Sequence, residues 1–219
     1  MELVPAKSFG AQDAYALGLW CADGYHRSSS IGLSNVDPEL IRRFAAYLVR
    51  ELNADRLRIR IYKVEGAEPD PSVLALTSKV SVCRAHKMKR IAYHVYVNCR
   101  PLLRRFRSLR DGLGQLHADV VAPYMAGRFD GDGAVGRNRV PGTRIAYSTR
   151  DEAEIDAQLL SKIGLRELSI YDYADAGETC IYLKAGSNAE FLDLIRPYSA
   201  TLTPKLMRLR HTLPAPPAL

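Results

Sequence analysis

The sequence predicts an α+β fold built twice from one unit, in the order helix, strand, strand, helix, strand, strand, helix. Three observations carry this. The stretch Met125-Ala126-Gly127-Arg128-Phe129-Asp130-Gly131-Asp132-Gly133 has an echo upstream in Ala16-Leu17-Gly18-Leu19-Trp20-Cys21-Ala22-Asp23-Gly24. Elements of the same type follow each copy in the same order, which marks an internal repeat. Between the helical stretches lie short runs of alternating apolar and polar residues, the pattern of half-buried strands.

In each copy small residues recur at i and i+4, Gly18 and Ala22 in the first, Gly127 and Gly131 in the second. These positions lie one above the other on a helix. A stripe without side chains lets two helices approach more closely than the usual ~8–10 Å between axes. The closing glycine predicts a left-handed C-terminal cap, with Asp23 and Asp132 in the last turns. If the two helices pair, two carboxylates meet where two helix dipoles already place negative charge. That arrangement needs a proton or a cation, and a divalent metal serves best.

The elements follow in order. Met1 to Gln12 is a lead-in, and Asp13 is the expected N-cap of the first motif helix. Tyr25-His26-Arg27-Ser28 reads as a strand end or turn. Ser30-Ile31-Gly32-Leu33-Ser34 alternates, with Ile31 and Leu33 inward. Asp37-Pro38-Glu39 starts a helix with a cap and then proline at its first position, and Leu40, Phe44 and Leu48 form its core stripe. Leu57 to Tyr62 is a strand with Leu57, Ile59 and Ile61 on one face and Arg58, Arg60 and Tyr62 on the other.

Pro71 to Arg110 contains no acidic residue, although it holds ten lysines and arginines. A basic run without counter-charges suits nucleic acid. Within it, His94-Val95-Tyr96-Val97 is a strand, and Pro101 opens a helix. Gly112 to Pro123 links the halves, and Pro123 precedes the second motif helix. Thr143 to Ser148 repeats the early strand, with Ile145 in the place of Ile31. Asp151 and Glu154 make a capping box, and Gly164 ends that helix. Leu168 to Tyr171 and Thr179 to Lys184 are strands, Asn188 to Tyr198 a helix, and Thr203-Pro204 opens a short final one. The halves divide as 1–114 and 115–219. The first carries an insertion at about 65–90, expected as an extended hairpin or an added lobe.

With 219 residues, net charge +7 and pI near 9.3, the composition favours an anionic partner, nucleic acid first. Cys21, Cys83, Cys99 and Cys180 lack metal-ligand spacing and read as small hydrophobes in a reducing compartment. Nothing resembles a secretion signal or a membrane span, so a soluble intracellular protein is expected.

Both glycine stretches resemble the motif that names the LAGLIDADG homing endonucleases. The second copy is close to the family pattern. The first departs at Cys21, where the family often has an acid, and at Leu17, where it often has alanine. The penultimate acid is present in both, as Asp23 and Asp132. The resemblance covers nearly the whole chain. It implies tandem αββαββα halves around a pseudo-twofold axis, each offering a saddle-shaped antiparallel sheet to double-stranded DNA, in a monomer.

It also implies metal-dependent hydrolysis of both strands at a specific site, as in intron homing. Asp23 and Asp132, with the carbonyls of Ala22 and Gly131, would hold magnesium, about two or three divalent ions. Calcium would replace it without cleavage. Lys184, on the outward face at the end of the last strand, is the candidate catalytic lysine, and its counterpart Asn98 departs from lysine. Unequal cutting of the two strands is therefore expected. The DNA-contacting candidates are Arg27, Arg58, Arg60 and Tyr62 in the first half. In the second they are Arg137, Arg139, Arg144, Ser148, Ser169 and Tyr171. The alternatives on this fold are a non-cleaving DNA-binding regulator and an RNA maturase.

Overall fold

A computed structural model describes residues 9–26, 29–84, 89–136 and 142–212. The first half comprises α1 (Ala11–Asp23), β1 (Ile31–Asn35), α2 (Pro38–Glu51), β2 (Arg58–Lys63), α3 (Pro71–Leu74), β3 (Val80–Arg84), β4 (Ala92–Val97) and α4 (Arg100–Asp111). The second comprises α5 (Ala118–Asp132), β5 (Gly133–Val135), β6 (Thr143–Tyr147), α6 (Arg150–Lys162), β7 (Leu168–Tyr173), β8 (Glu178–Leu183), α7 (Ala185–Ile195) and α8 (Leu202–Thr212). The strands form two four-stranded sheets, ordered β1-β4-β2-β3 and β5-β6-β8-β7.

The motif helices α1 and α5 pair through bare backbone. A Cβ on Gly18 would overlap the carbonyl of Tyr124, and one on Gly127 would overlap the carbonyl of Tyr15. The small residues are thus required by contact, as their i, i+4 spacing implies. Leu17, Leu19, Trp20, Val121, Met125 and Phe129 surround this seam and are fully buried.

The inward faces of the strands also match their alternation. Ile31, Leu33, Leu57, Ile59, Ile61, Val95, Val97, Ile145 and Ile181 are all buried. Asp37 caps α2 by accepting from the Glu39 N–H at 2.9 Å. Gly164, with φ +99°, follows the end of α6.

Several local readings are corrected. Asp13 is not the N-cap of α1. Gly10 is, and Asp13 sits a turn in, accepting from the Gly10 N–H at 3.1 Å. Neither motif glycine is left-handed: Gly24 has φ −71° and Gly133 φ −84°. They are required by space, since a Cβ would run into Trp20 at one and Phe129 at the other. Pro123 lies inside α5, which already starts at Ala118. Thr149, accepting from the Glu152 N–H at 3.3 Å, caps α6, in place of an Asp151–Glu154 box. Gly24 pairs with Leu33 and Gly133 with Ile145, so Ile145 matches Leu33 and not Ile31.

The 65–90 insertion is neither a hairpin nor a separate lobe in its described part. Asp70 caps the short α3, and the chain returns as β3, parallel to β2. A parallel neighbour needs a crossover, and α3 supplies it, with Val73 fully buried. The first sheet is therefore not wholly antiparallel. At the opposite edge, the first-half counterpart of β5 among the described residues is the isolated Gly24–Leu33 bridge.

Candidate active centre and nucleic-acid interface

The pairing of α1 and α5 brings their C-terminal ends together. A Cβ on Gly131 would touch Ala22 and lie 2.8 Å from Asp23 Oδ2, so the Asp23 carboxylate rests over the backbone just before Asp132. Asn35, the last residue of β1, donates from Nδ2 to Asp23 Oδ2 at 2.7 Å. Its own Oδ1 accepts from the Asp37 N–H at 2.7 Å. This one amide fixes the first acid against the cap of α2. In the second half the matching strand position holds Tyr147, buried under the Arg128 guanidinium at 4.5 Å.

Burial pushes the Asp23 carboxyl up to about 6, and the Asp132 charge adds to it, while Asn35, Arg128 and Lys205 oppose the rise. Asp132 is also raised, first by burial, against the pull of Arg128 and Lys205. The acids are half-buried, and the charge of Asp132 adds to the cost of ionising Asp23, so the site favours a cation. Among the described residues, no three His, Cys, Asp or Glu side chains gather as a metal cage. A hard divalent ion here would take the two carboxylates, with carbonyl, water or phosphate oxygens completing its shell.

The raised pKa has a consequence for stability. The folded value, about 6, exceeds the ordinary 3.8. The folded protein therefore loses stability relative to the unfolded chain as pH rises from 3.8 through about 6, and carries the full penalty above that. In chelator, Asp23→Asn is expected to stabilise the fold at pH 7.5 by on the order of 2 kcal/mol, and so to raise the melting temperature, with little effect near pH 4. Melting scans at the two pH values check this. A uniform gain would assign the effect to packing.

Two buried networks support the centre. Arg128 donates from Nε to Asp156 at 3.2 Å, and Tyr124 OH donates to the same carboxylate at 3.0 Å. Asp130 accepts from Tyr15 OH at 2.6 Å, from the N–H groups of Ala200 and Thr201 at 2.7 and 3.1 Å, and from Thr201 Oγ1 at 2.7 Å. Ser199 Oγ donates to it as well. Lys205, in α8, donates to the carbonyls of Phe129 and Gly133, both at 2.7 Å.

One face of each sheet carries rows of polar side chains, interrupted by Gly32 and Ala92 in the first and by Ala146 and the buried Cys180 in the second. Strand register lines up Gly32, Tyr96 and Arg58, then Ser34, His94, Arg60 and Ser81, then Ala92, Tyr62 and Cys83. In the second half Arg144, Tyr182 and Ser169 share one row, and Ala146, Cys180 and Tyr171 the next. Arg58, Arg60, Arg144 and Tyr171 are exposed. Ser148, also exposed, lies just past β6. Lys184 is exposed at the N-terminus of α7, one residue past β8. Arg27, Arg137 and Arg139 lie outside the described residues.

His94, Tyr96 and Tyr182 also line these faces. They alternate with buried Val95, Val97 and Ile181, so their pattern alone could have placed them. Lys205 had no such signal. The acid-free stretch is split: Arg105 reaches Glu51 at 3.4 Å, and Arg107 and Arg110 reach His26 at 3.0 and 3.2 Å. Those arginines hold the protein together. All four cysteines are free, and Cys21, Cys99 and Cys180 are buried. No described helix is long and apolar enough to cross a membrane.

Two helices joined through glycines, each ending in an acid above its own sheet, define the LAGLIDADG fold in its single-chain, two-copy form. The solved structures agree. The homing endonuclease I-DmoI in complex with DNA and calcium is 17% identical, with a TM-score of 0.62, covering 94% of this chain and 100% of its own. Mesophilic variants of I-DmoI are 17% identical, with a TM-score of 0.60, over 88% of this chain and 97% of theirs. The N-terminal LAGLIDADG domain of DUF199/WhiA is 14% identical, with a TM-score of 0.56, over 88% of this chain and 84% of its own. No protein-family model and no curated protein sequence matches the chain. At these identities the likeness establishes the fold.

Proposed function

We infer that the protein is a site-specific double-strand DNA endonuclease, a homing endonuclease that acts as a monomer. The carrying observation is the pair of half-buried carboxylates, Asp23 and Asp132, at the abutting ends of α1 and α5. A protein that only bound DNA would have no use for that electrostatic cost. The I-DmoI structures with DNA and with manganese or calcium support the reading.

The donor set fits magnesium, held by Asp23, Asp132 and the carbonyls of Ala22 and Gly131. When bound, divalent ions supply Lewis acidity to the attacking water and the leaving oxygen. The chain does the rest. Asn35 orients Asp23, and Arg128 and Lys205 offset the charge of the acids. Arg58, Arg60 and Tyr62, with Arg144, Ser148, Ser169 and Tyr171, position the duplex and read base edges. Arg137 and Arg139 contact phosphates or bases, and Arg27 is a further candidate for the same role in the first half. Lys184, with Asn98 opposite, supports the developing phosphate charge on one strand.

Incubating the protein with a randomised duplex library in magnesium, then sequencing the new ends, tests the reading. One enriched site with both strands cut is expected. Tight binding without cutting would favour a DNA-binding regulator, and RNA-only binding a maturase. Log affinity for duplex DNA should fall with log salt by about 0.9 per phosphate neutralised. A flat salt dependence in filter binding would remove the DNA-binding reading.

A further inference from the structure

The second acid is held by an element with no first-half equivalent of the same charge. Asp130, two residues before Asp132, accepts from the chain entering α8, at Ser199, Ala200 and Thr201. Lys205, in the first turn of α8, returns to α5. Its Nζ reaches Phe129 O at 2.7 Å, Asp130 O at 3.3 Å and Gly133 O at 2.7 Å, and sits 4.3 Å from the Phe129 ring centroid. The two contacts are reciprocal: the motif helix caps the start of α8, and α8 caps the end of the motif helix. A cation at a helix C-terminus is favourable in itself.

The first half solves the same problem with a neutral group. Cys21 occupies the place of Asp130, and the His26 ring bonds its carbonyl. Burial lowers the His26 pKa to about 4, with Arg110, Arg128 and Arg107 adding to the fall. His26 is therefore uncharged at neutral pH. Lys205 is lowered by burial to about 8, held there by Asp130, Asp132 and Asp23. It remains mostly a cation at neutral pH.

We propose that Lys205 is a positioning residue for the acid pair, locking the last turn of α5 and placing a fixed positive charge on the Asp132 side. It makes the strand served by Asp132 the faster-cut one, and it lowers the affinity of the acids for a divalent cation. The inference rests on the nuclease reading for its strand effect alone. A residue that only packs would not have both consequences.

The test compares Lys205→Met and Lys205→Arg with wild type. Both strands of the target are end-labelled, and calcium binding to the protein alone is followed by calorimetry. The strand served by Asp132 is the one whose cutting Asp132→Asn removes first. Lys205→Met should slow that strand by on the order of tenfold or more, leave the other within a few-fold, and tighten calcium binding several-fold. Lys205→Arg should stay close to wild type in both. Equal slowing of both strands with weaker calcium binding would overturn the proposal and leave a packing role. Should Lys205→Met not fold, Lys205→Gln keeps a donor without the charge and carries the same expectations. If wild type cuts no duplex, the nuclease reading fails, while tightened calcium binding in the variant still upholds the charge placement and unchanged binding overturns it.

Discussion

Replacing Asp23 and Asp132 together by alanine is expected to abolish magnesium-dependent cleavage, by at least about 10³-fold, while the protein stays folded and binds its target in calcium. Both carboxylates sit at the α1–α5 junction, and Gly131 is pressed against Asp23. Removing them takes away the side-chain oxygens proposed to hold magnesium. It also removes two half-buried charges of like sign, so melting temperature in chelator should rise or hold. Single replacements should give nicking biased to one strand. End-labelled duplex followed over time, with binding measured separately in calcium, checks each part. Residual double-strand cutting in the double variant, or unchanged cutting by wild type in chelator, would refute the acid-pair mechanism.

Arg128→Leu is expected to destabilise the fold by about 3–5 kcal/mol, the usual consequence of leaving a buried charge without its partner. Arg128 and Asp156 are 2% and 1% exposed. The repeat supplies the control. Counting back from Asp132 and Asp23, Arg128 matches Leu19. Counting from the caps Thr149 and Asp37, Asp156 matches Phe44. Both first-half residues are buried and apolar. The double change Arg128→Leu with Asp156→Phe should therefore recover part of the loss, because it removes both buried charges and restores the first half's apolar pair, while Tyr124 OH still loses its Asp156 acceptor. Denaturant titrations of the single and double variants measure the coupling. Additive losses would show that the second half has diverged too far to accept the first half's packing.

The fold was legible where a residue acts through its own neighbours in sequence. Leu57, Ile59 and Ile61 alternate, Asp37 stands beside Pro38, and Gly18 and Ala22 share a helix face. These patterns are local, and the structure places them accordingly. The failures came where a local signal had two causes. A glycine after a helix can serve backbone twist or mere space, and Gly24 and Gly133 serve space, against Trp20 and Phe129. Asp13 carries the chemistry of a cap, but Gly10 occupies the position, and the carboxylate bonds back to it. Pro123 invites a helix start, yet α5 begins upstream of it. The 65–90 segment could not be assigned to a parallel strand because its partner β2 is joined to it only through a crossover.

The candidate centre divides in the same way. Asp23 and Asp132 announce themselves through the repeated Asp-Gly ending. Asn35 is separated from Asp23 by a turn and a strand. Lys205 lies on α8, and nothing near it in sequence hints at the carbonyls of Phe129 and Gly133. Contacts between distant segments leave no period to read.

The seam between the halves carries one further consequence. Tyr15 on α1 bonds Asp130 on α5, and the symmetry-related Tyr124 meets Cys21. Each tyrosine therefore faces a different partner, and the two sides of the seam are not equivalent. Two copies of the first half would put Cys21 opposite Tyr15 in place of the Asp130 carboxylate. Two copies of the second would double the buried Arg128 at the seam. In evolutionary terms the covalent join lets the two copies diverge at matched positions, so one seam contact can specialise without an identical second one having to follow.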